Sequence, residues 1–278
     1  MEGLLKRAFT ALIFVLVMLG GLFGGRYSFA LLFSVITALC LWEYLSMVLD
    51  KHTRRDYWRK LLGVGMGLVP FILATVVQLN LVDNPEDFIL ISALLFSPFI
   101  FTAFIYELYT GSDQPFTNIA FIFLGMIYIG VPFALLDLIA FNGEYFYANT
   151  VFGLLLMSWA NDTGAYLVGS QFGKHRLFER ISPKKTWEGT IGGIVITILL
   201  AFGLHFIFDE LRMVDWLIIG SIVAIFGTLG DLVESMLKRS VQIKDSGTLL
   251  PGHGGMLDRF DGFIFILPFV AAYLLWIR

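Results

Sequence analysis

The sequence predicts an all-α polytopic integral membrane protein, a helical bundle of about nine transmembrane helices. Three observations carry that expectation. Hydrophobic residues make up 58% of the chain and charged residues 15%, against roughly 45–50% and about 25% in soluble globular proteins. The apolar residues are gathered into long runs, each near the ~20 residues needed to cross a hydrocarbon core. The lysines and arginines, in turn, crowd into alternate intervals between those runs.

The runs cover residues 8–25, 27–48, 61–82, 88–109, 116–141, 147–169, 190–208, 214–236 and 260–276. The first follows Lys6-Arg7 and resembles a signal peptide. It has no clear small-residue cleavage site and another run follows almost at once, so it reads as a retained span. The second contains Glu43, an acid that is costly in hydrocarbon. It reads either as a functional or paired group or as a carboxylate near the inner interface. The third contains Gly63-Val64-Gly65-Met66-Gly67, superficially a dinucleotide-binding loop. No strand precedes it, so helix packing is the better reading. The fifth is long and contains Pro132. Glycines four apart, at Gly20 and Gly24, Gly21 and Gly25, and Gly189 and Gly193, let helix backbones approach closely in lipid. Residues 1–145 read as N-terminal membrane helices and 146–278 as the helices carrying the polar motifs, together one membrane unit without a soluble domain.

With the N-terminus inside, the inner intervals 1–7, 49–60, 110–115, 170–189 and 237–259 hold 16 of the 19 lysines and arginines. Arg26, Arg212 and Arg278 are the remainder. Positive charge stays on the cytoplasmic side during insertion, so the bias predicts an inside N-terminus and an outside C-terminus. The lone cysteine, Cys40, excludes an intramolecular disulfide and any CxxC site. Basic residues spread among membrane loops give no nucleic-acid footprint.

Two inner intervals carry chemistry. In the first, Asn161-Asp162-Thr163-Gly164-Ala165-Tyr166 is followed by Ser182-Pro183-Lys184-Lys185-Thr186-Trp187-Glu188-Gly189. Ser182, Lys184, Lys185 and Thr186 are four donors within five residues beside a helix start, which together make a natural phosphate site. In the second, Asp231, Glu234 or Ser235, and Lys238 share one helical face. Asp258 and Asp261 lie three apart at the start of the last run, and Gly252, Gly254 and Gly255 suit a backbone cradle for phosphate oxygens. Carboxylates without a cysteine or histidine cluster suit a hard cation such as Mg²⁺ bridged to substrate phosphates. Metal-dependent phosphoryl or nucleotidyl transfer is the chemistry these residues imply.

The stretch 235–261, SMLKRSVQIKDSGTLLPGHGGMLDRFD, resembles the defining motif of the phosphatidate cytidylyltransferases, the CDP-diacylglycerol synthases. SPKKTWEGTIGG, at 182–193, is similar to a second segment of that family, and Asn161-Asp162 with Ala165-Tyr166 and Gly169 to a third. The first ~150 residues match only as a membrane-helix array. The resemblance implies transfer of the cytidylyl group of CTP to phosphatidate with Mg²⁺, to which a second metal or a monovalent cation is a candidate addition. It implies Asp231 and Asp258 as principal metal ligands, with Asp162 and Asp261 beside them. Asp231, Asp258, Lys238 and Arg259 are the expected catalytic set. Ser182, Lys184, Lys185, Thr186, Arg239, Lys244, Gly252, His253, Gly254 and Gly255 are expected to hold triphosphate or lipid phosphate. The expected partners are CTP, phosphatidate and membrane lipids, with a homodimer permitted by the small-residue faces. The expected location is the cell (inner) membrane, with the active site cytoplasmic. The rival readings are a CTP-dependent transferase acting on another lipid phosphate or a polyprenol, and a transporter.

Overall fold

A computed structural model describes residues 2–49, 54–249 and 254–277. The helices are α1 (Glu2–Phe23), α2 (Arg26–Leu49), α3 (Arg54–Gln78), α4 (Pro85–Thr110), α5 (Pro115–Gly125), α6 (Val131–Ala140), α7 (Ala148–Phe172), α8 (Trp187–His205), α9 (Met213–Ser240) and α10 (Leu257–Ile277). A π turn, Met126–Gly130, joins α5 to α6, so these two form one rod over Pro115–Ala140. Each of the nine apolar runs therefore has its helix among the described residues. Seven of these rods are long and apolar enough to cross a bilayer. In α1 the described apolar part is Phe9–Phe23, and the apolar sequence of the unbroken helix α7 is interrupted by Asn161, Asp162 and Thr163. The chain is an all-α integral membrane protein.

The π turn answers the proline in the fifth run. Pro132 has no N–H to give the preceding turn. The Val131 amide instead reaches back five residues to the Met126 carbonyl, and the rod continues. Elsewhere the helix ends follow local chemistry. Asn84 caps α4 ahead of Pro85, and Gly111 closes it in the left-handed conformation, with φ +61°.

By compactness the chain divides into two units, Met1–Leu138 with Asp245–Leu257, and Ile139–Lys244 with Asp258–Arg278. In the first, α2 is the central rod. Phe29, Phe33, Leu41, Tyr44 and Leu45 are fully buried, and the rings of Phe29 and Phe33 lie 4.7 Å apart. The glycine run at 63–67 is helical, with Leu45 packed on Gly63 and Leu41 on Gly67. The start of α3 and the end of α4 share a buried ion cluster in which Arg59 binds both Asp56 and Glu107. By contrast, most of α4 is exposed, with Leu94 and Leu95 about two-thirds accessible, as expected of a lipid-facing helix.

In the second unit, α7 packs on α8 and α8 on α9. The crossing of α7 and α8 is close because Gly193 has no side chain. A Cβ there would stand 2.7 Å from the Asn161 side-chain oxygen and 2.8 Å from its carbonyl. Trp216 of α9 is fully buried and lies against Gly153 of α7. The Phe226 and Phe269 rings stack at 3.6 Å between α9 and α10. Two short hairpins complete this unit: β1 (Phe141–Asn142) with β2 (Tyr145–Phe146), and β3 (Arg176–Phe178) with β4 (Ser182–Thr186).

Candidate active site

The β3–β4 hairpin leads directly into α8. Arg176 pairs with Thr186 and Phe178 with Ser182 across it. Thr186 is the N-cap of α8, its hydroxyl accepting from the Gly189 amide at 3.1 Å. Glu188, in the first turn of α8, turns back and accepts from the amides of Lys174 and His175 at 3.1 and 3.2 Å. The segment between α7 and α8 is thereby fastened at both ends, and its lysines project from an ordered ribbon.

A cavity of about 490 Å³ opens against this hairpin, within the range of small-molecule sites. Asp162 comes from α7, Asp231 from α9, and Arg176, Lys184, Lys185 and Thr186 from the hairpin. Lys185 forms an ion pair with Asp231, which also accepts from Ser235 at 3.3 Å. Asp162 lies within the electrostatic reach of Asp231, Lys185 and Arg259. Behind Asp162, the Asn161 amide donates to Thr228 at 3.2 Å and ties α7 to α9 at the depth of the cavity. Three separate stretches of chain thus meet in one pocket with a cationic wall and an acidic wall.

One turn further along α9, Lys238 donates to Glu234 at 2.6 Å and to Asp258 of α10 at 2.8 Å. Glu234 is fully buried, and Asp261 of α10 lies within hydrogen-bonding reach of its carboxylate. Asp261, on the next turn of α10, accepts from the Gly262 amide at 2.6 Å. It lies within electrostatic reach of Asp231, Glu234 and Asp162. Five carboxylates therefore share one region of this unit with two paired lysines.

The other expected residues lie elsewhere. Ser182, Arg239, Lys244 and Arg259 do not line the cavity. Arg239 folds over its own loop, donating to the Ile243 carbonyl at 3.0 Å, and Lys244 is exposed. Gly254 takes a left-handed φ of +82°, and Gly255 packs against the carboxylate of Glu43 in the first unit. Gly252 and His253 lie outside the described residues. Arg176 and the buried Glu234 were not among the expected site residues. Arg176 reads in sequence as an inner-loop charge, while the four-residue spacing of Glu234 and Lys238 did signal a pair.

Relatives match this chain over most of its length. A phosphatidate cytidylyltransferase of Staphylococcus aureus (strain COL) is 33% identical over 271 residues, covering 94% of this chain and 95% of that protein. One from Staphylococcus haemolyticus is 35% identical over 272 residues, with the same coverage. One from Bacillus subtilis (strain 168) is 42% identical over 166 residues, covering 59% of this chain and 61% of that protein. The sequence profile of the cytidylyltransferase family matches residues 5–277. Matched from end to end, this chain belongs to the cytidylyltransferase family.

Proposed function

We propose that this chain transfers the cytidylyl group of CTP to phosphatidate, giving CDP-diacylglycerol and pyrophosphate, at the cytoplasmic face of the membrane. One observation carries the reading. Arg176, Lys184 and Lys185 face Asp162 and Asp231 across a single cavity, within a chain matched throughout by cytidylyltransferases. The cytoplasmic orientation rests on the 16 of 19 basic residues in the inner intervals.

A phosphate oxygen of phosphatidate attacks the α-phosphorus of CTP. The bond from that phosphorus to the bridging oxygen of the β-phosphate breaks, and pyrophosphate leaves with the electron pair. The attacking group is already an anion, so no serine, cysteine or histidine has to take a proton from it. Positioning and charge neutralisation supply most of the acceleration, as in other phosphoryl transfers. Arg176, Lys184 and Lys185 hold the triphosphate, while the Thr186 cap fixes the ribbon that carries the two lysines. Asp231 keeps Lys185 in place between substrates, and Lys238 orients Asp258.

The donor set suits Mg²⁺. Its carboxylates are hard oxygen donors of the kind that ion takes, although among the described residues no three of them are gathered into a ready-made ligand group. Asp231 and Asp258, with Asp162 and Asp261, would hold the ion. Bound there, Mg²⁺ would offset the negative charge that gathers on the phosphates during transfer.

The test is turnover of radiolabelled CTP by detergent-purified protein with phosphatidate and Mg²⁺. Label in the organic phase as CDP-diacylglycerol is the expected result. Label only with a different phosphorylated lipid would change the substrate and keep the mechanism. No CTP consumption with any lipid, in folded protein, would sink the enzyme reading.

A further inference from the structure

Glu43 is an acid within α2, far in sequence from every motif, and it is buried at 7% exposure. One of its carboxylate oxygens accepts from the Ser246 hydroxyl at 3.1 Å and from the Leu257 amide at 2.8 Å. Leu257 is the first residue of α10, so its N–H has no partner within the helix and needs an acceptor. A carboxylate also suits the positive end of a helix. Gly247 and Gly255, beside these two contacts, close tightly on the same group. A Cβ at Gly247 would stand 2.6 Å from a Glu43 oxygen. One at Gly255 would stand 2.3 Å from the other and 2.2 Å from the Ser246 hydroxyl. Residues 246, 247, 255 and 257 thus wrap one carboxylate, and Asp258 is the next residue in the chain.

We infer that Glu43 is a positioning residue for the transfer reaction: it tethers the start of α10 and so sets where Asp258 stands. The inference rests on the reading of Asp258 as part of the active site. Glu43 touches no substrate in this role. It acts as a hydrogen-bond acceptor, and its charge is secondary, because both contacts fall on one oxygen. A glutamine at this position keeps an acceptor of the same reach, whereas an alanine removes it. Gly255→Ala attacks the same tether from the loop side.

The experiment compares full-length wild type, Glu43→Gln, Glu43→Ala and Gly255→Ala in detergent. It measures amide hydrogen exchange over residues 254–260 and steady-state kinetics with CTP and phosphatidate. Glu43→Ala and Gly255→Ala are expected to speed exchange in that segment at least about tenfold and to lower kcat about tenfold, with KM for CTP held within about threefold. Glu43→Gln is expected to stay within about threefold of wild type in both readouts. A general packing defect would instead speed exchange throughout α2 and lower the thermal midpoint without singling out kcat, which would overturn the inference. So would unchanged exchange in Glu43→Ala, faster exchange with kcat intact, or a Glu43→Gln variant as impaired as Glu43→Ala. If Glu43→Ala does not fold, Gly255→Ala carries the same test. Wild type that leaves CTP and phosphatidate unreacted would sink the reading of the reaction itself, and the exchange data would still report whether the tether exists.

Discussion

Lys238 on α9 and Asp258 on α10 are joined by a 2.8 Å ion pair in a nearly dry patch, their side chains 12% and 9% exposed. The same ammonium donates to Glu234 at 2.6 Å, and the Glu234 side chain is fully buried. One cation therefore balances two acids away from water. Removing a partner from such a cluster does more harm than the cluster's net contribution, because the acids left behind lose the cation they share.

Lys238→Met should accordingly lower stability by about 3–5 kcal/mol. Glu234→Gln, which leaves Lys238 its contact with Asp258, should cost about 1–3 kcal/mol. Thermal unfolding in detergent, followed by the fluorescence of the tryptophans, measures both. Equal midpoints for the two variants would mean that Lys238 does not hold the two acids jointly.

Asp231 and Lys185 form a second pair, on the wall of the cavity, and their substitutions should separate kinetically. Asp231→Asn should lower kcat at least about a hundredfold if the carboxylate acts on the developing charge. Lys185→Met, losing a charge-assisted contact to the triphosphate, should raise KM for CTP about tenfold. Steady-state kinetics at saturating phosphatidate reads the split. An Asp231→Asn enzyme with normal kcat would remove this residue from the ion-binding set.

The membrane architecture was legible because lipid imposes one simple requirement. Every span must be long, apolar and internally hydrogen-bonded, and each of the nine apolar runs coincides with a helix to within about seven residues at either end. The polar motifs were legible as short clusters of residue type. Their convergence was not, since nothing in 161–169, 182–189 or 231 encodes that they meet at one cavity. The β3–β4 hairpin was missed because Ser-Pro-Lys-Lys-Thr lacks the alternating apolar pattern of a strand. It is held by Glu188 and by the Thr186 cap, which act through backbone amides. Glu43 shows the limit most clearly. The sequence marks it as an unusual acid in a span, while its partners Ser246 and Leu257 lie more than two hundred residues away.

Chelation should distinguish the oxygen-ligand site from a site served by lysines alone. Turnover should fall to background in EDTA and return on adding Mg²⁺, and Asp231→Asn and Asp258→Asn should each need about tenfold more Mg²⁺ for half-maximal rate. A magnesium titration of rate, with folding monitored by size exclusion, gives the answer. Full activity in EDTA would leave charge neutralisation to Lys184, Lys185 and Arg176.

The crossing of α7 and α8 sets the width of the cavity, and two glycines of α8 test this in opposite senses. At Gly193 a Cβ would meet the Asn161 side-chain oxygen at 2.7 Å and the Asn161 carbonyl at 2.8 Å. The second atom is backbone and cannot swing aside, so the two helices must part beside Asp162. Gly193→Ala should therefore cost about 1–3 kcal/mol, as overpacking does, and raise KM for CTP as the cavity wall moves. At Gly203, by contrast, a Cβ meets nothing within 4 Å. Gly203→Ala should leave the kinetics unaltered and add up to about 1 kcal/mol through helix propensity. Thermal midpoints and CTP kinetics on the two variants test the pair together. If Gly193→Ala matched Gly203→Ala in KM, the width of the α7–α8 crossing would not govern CTP binding.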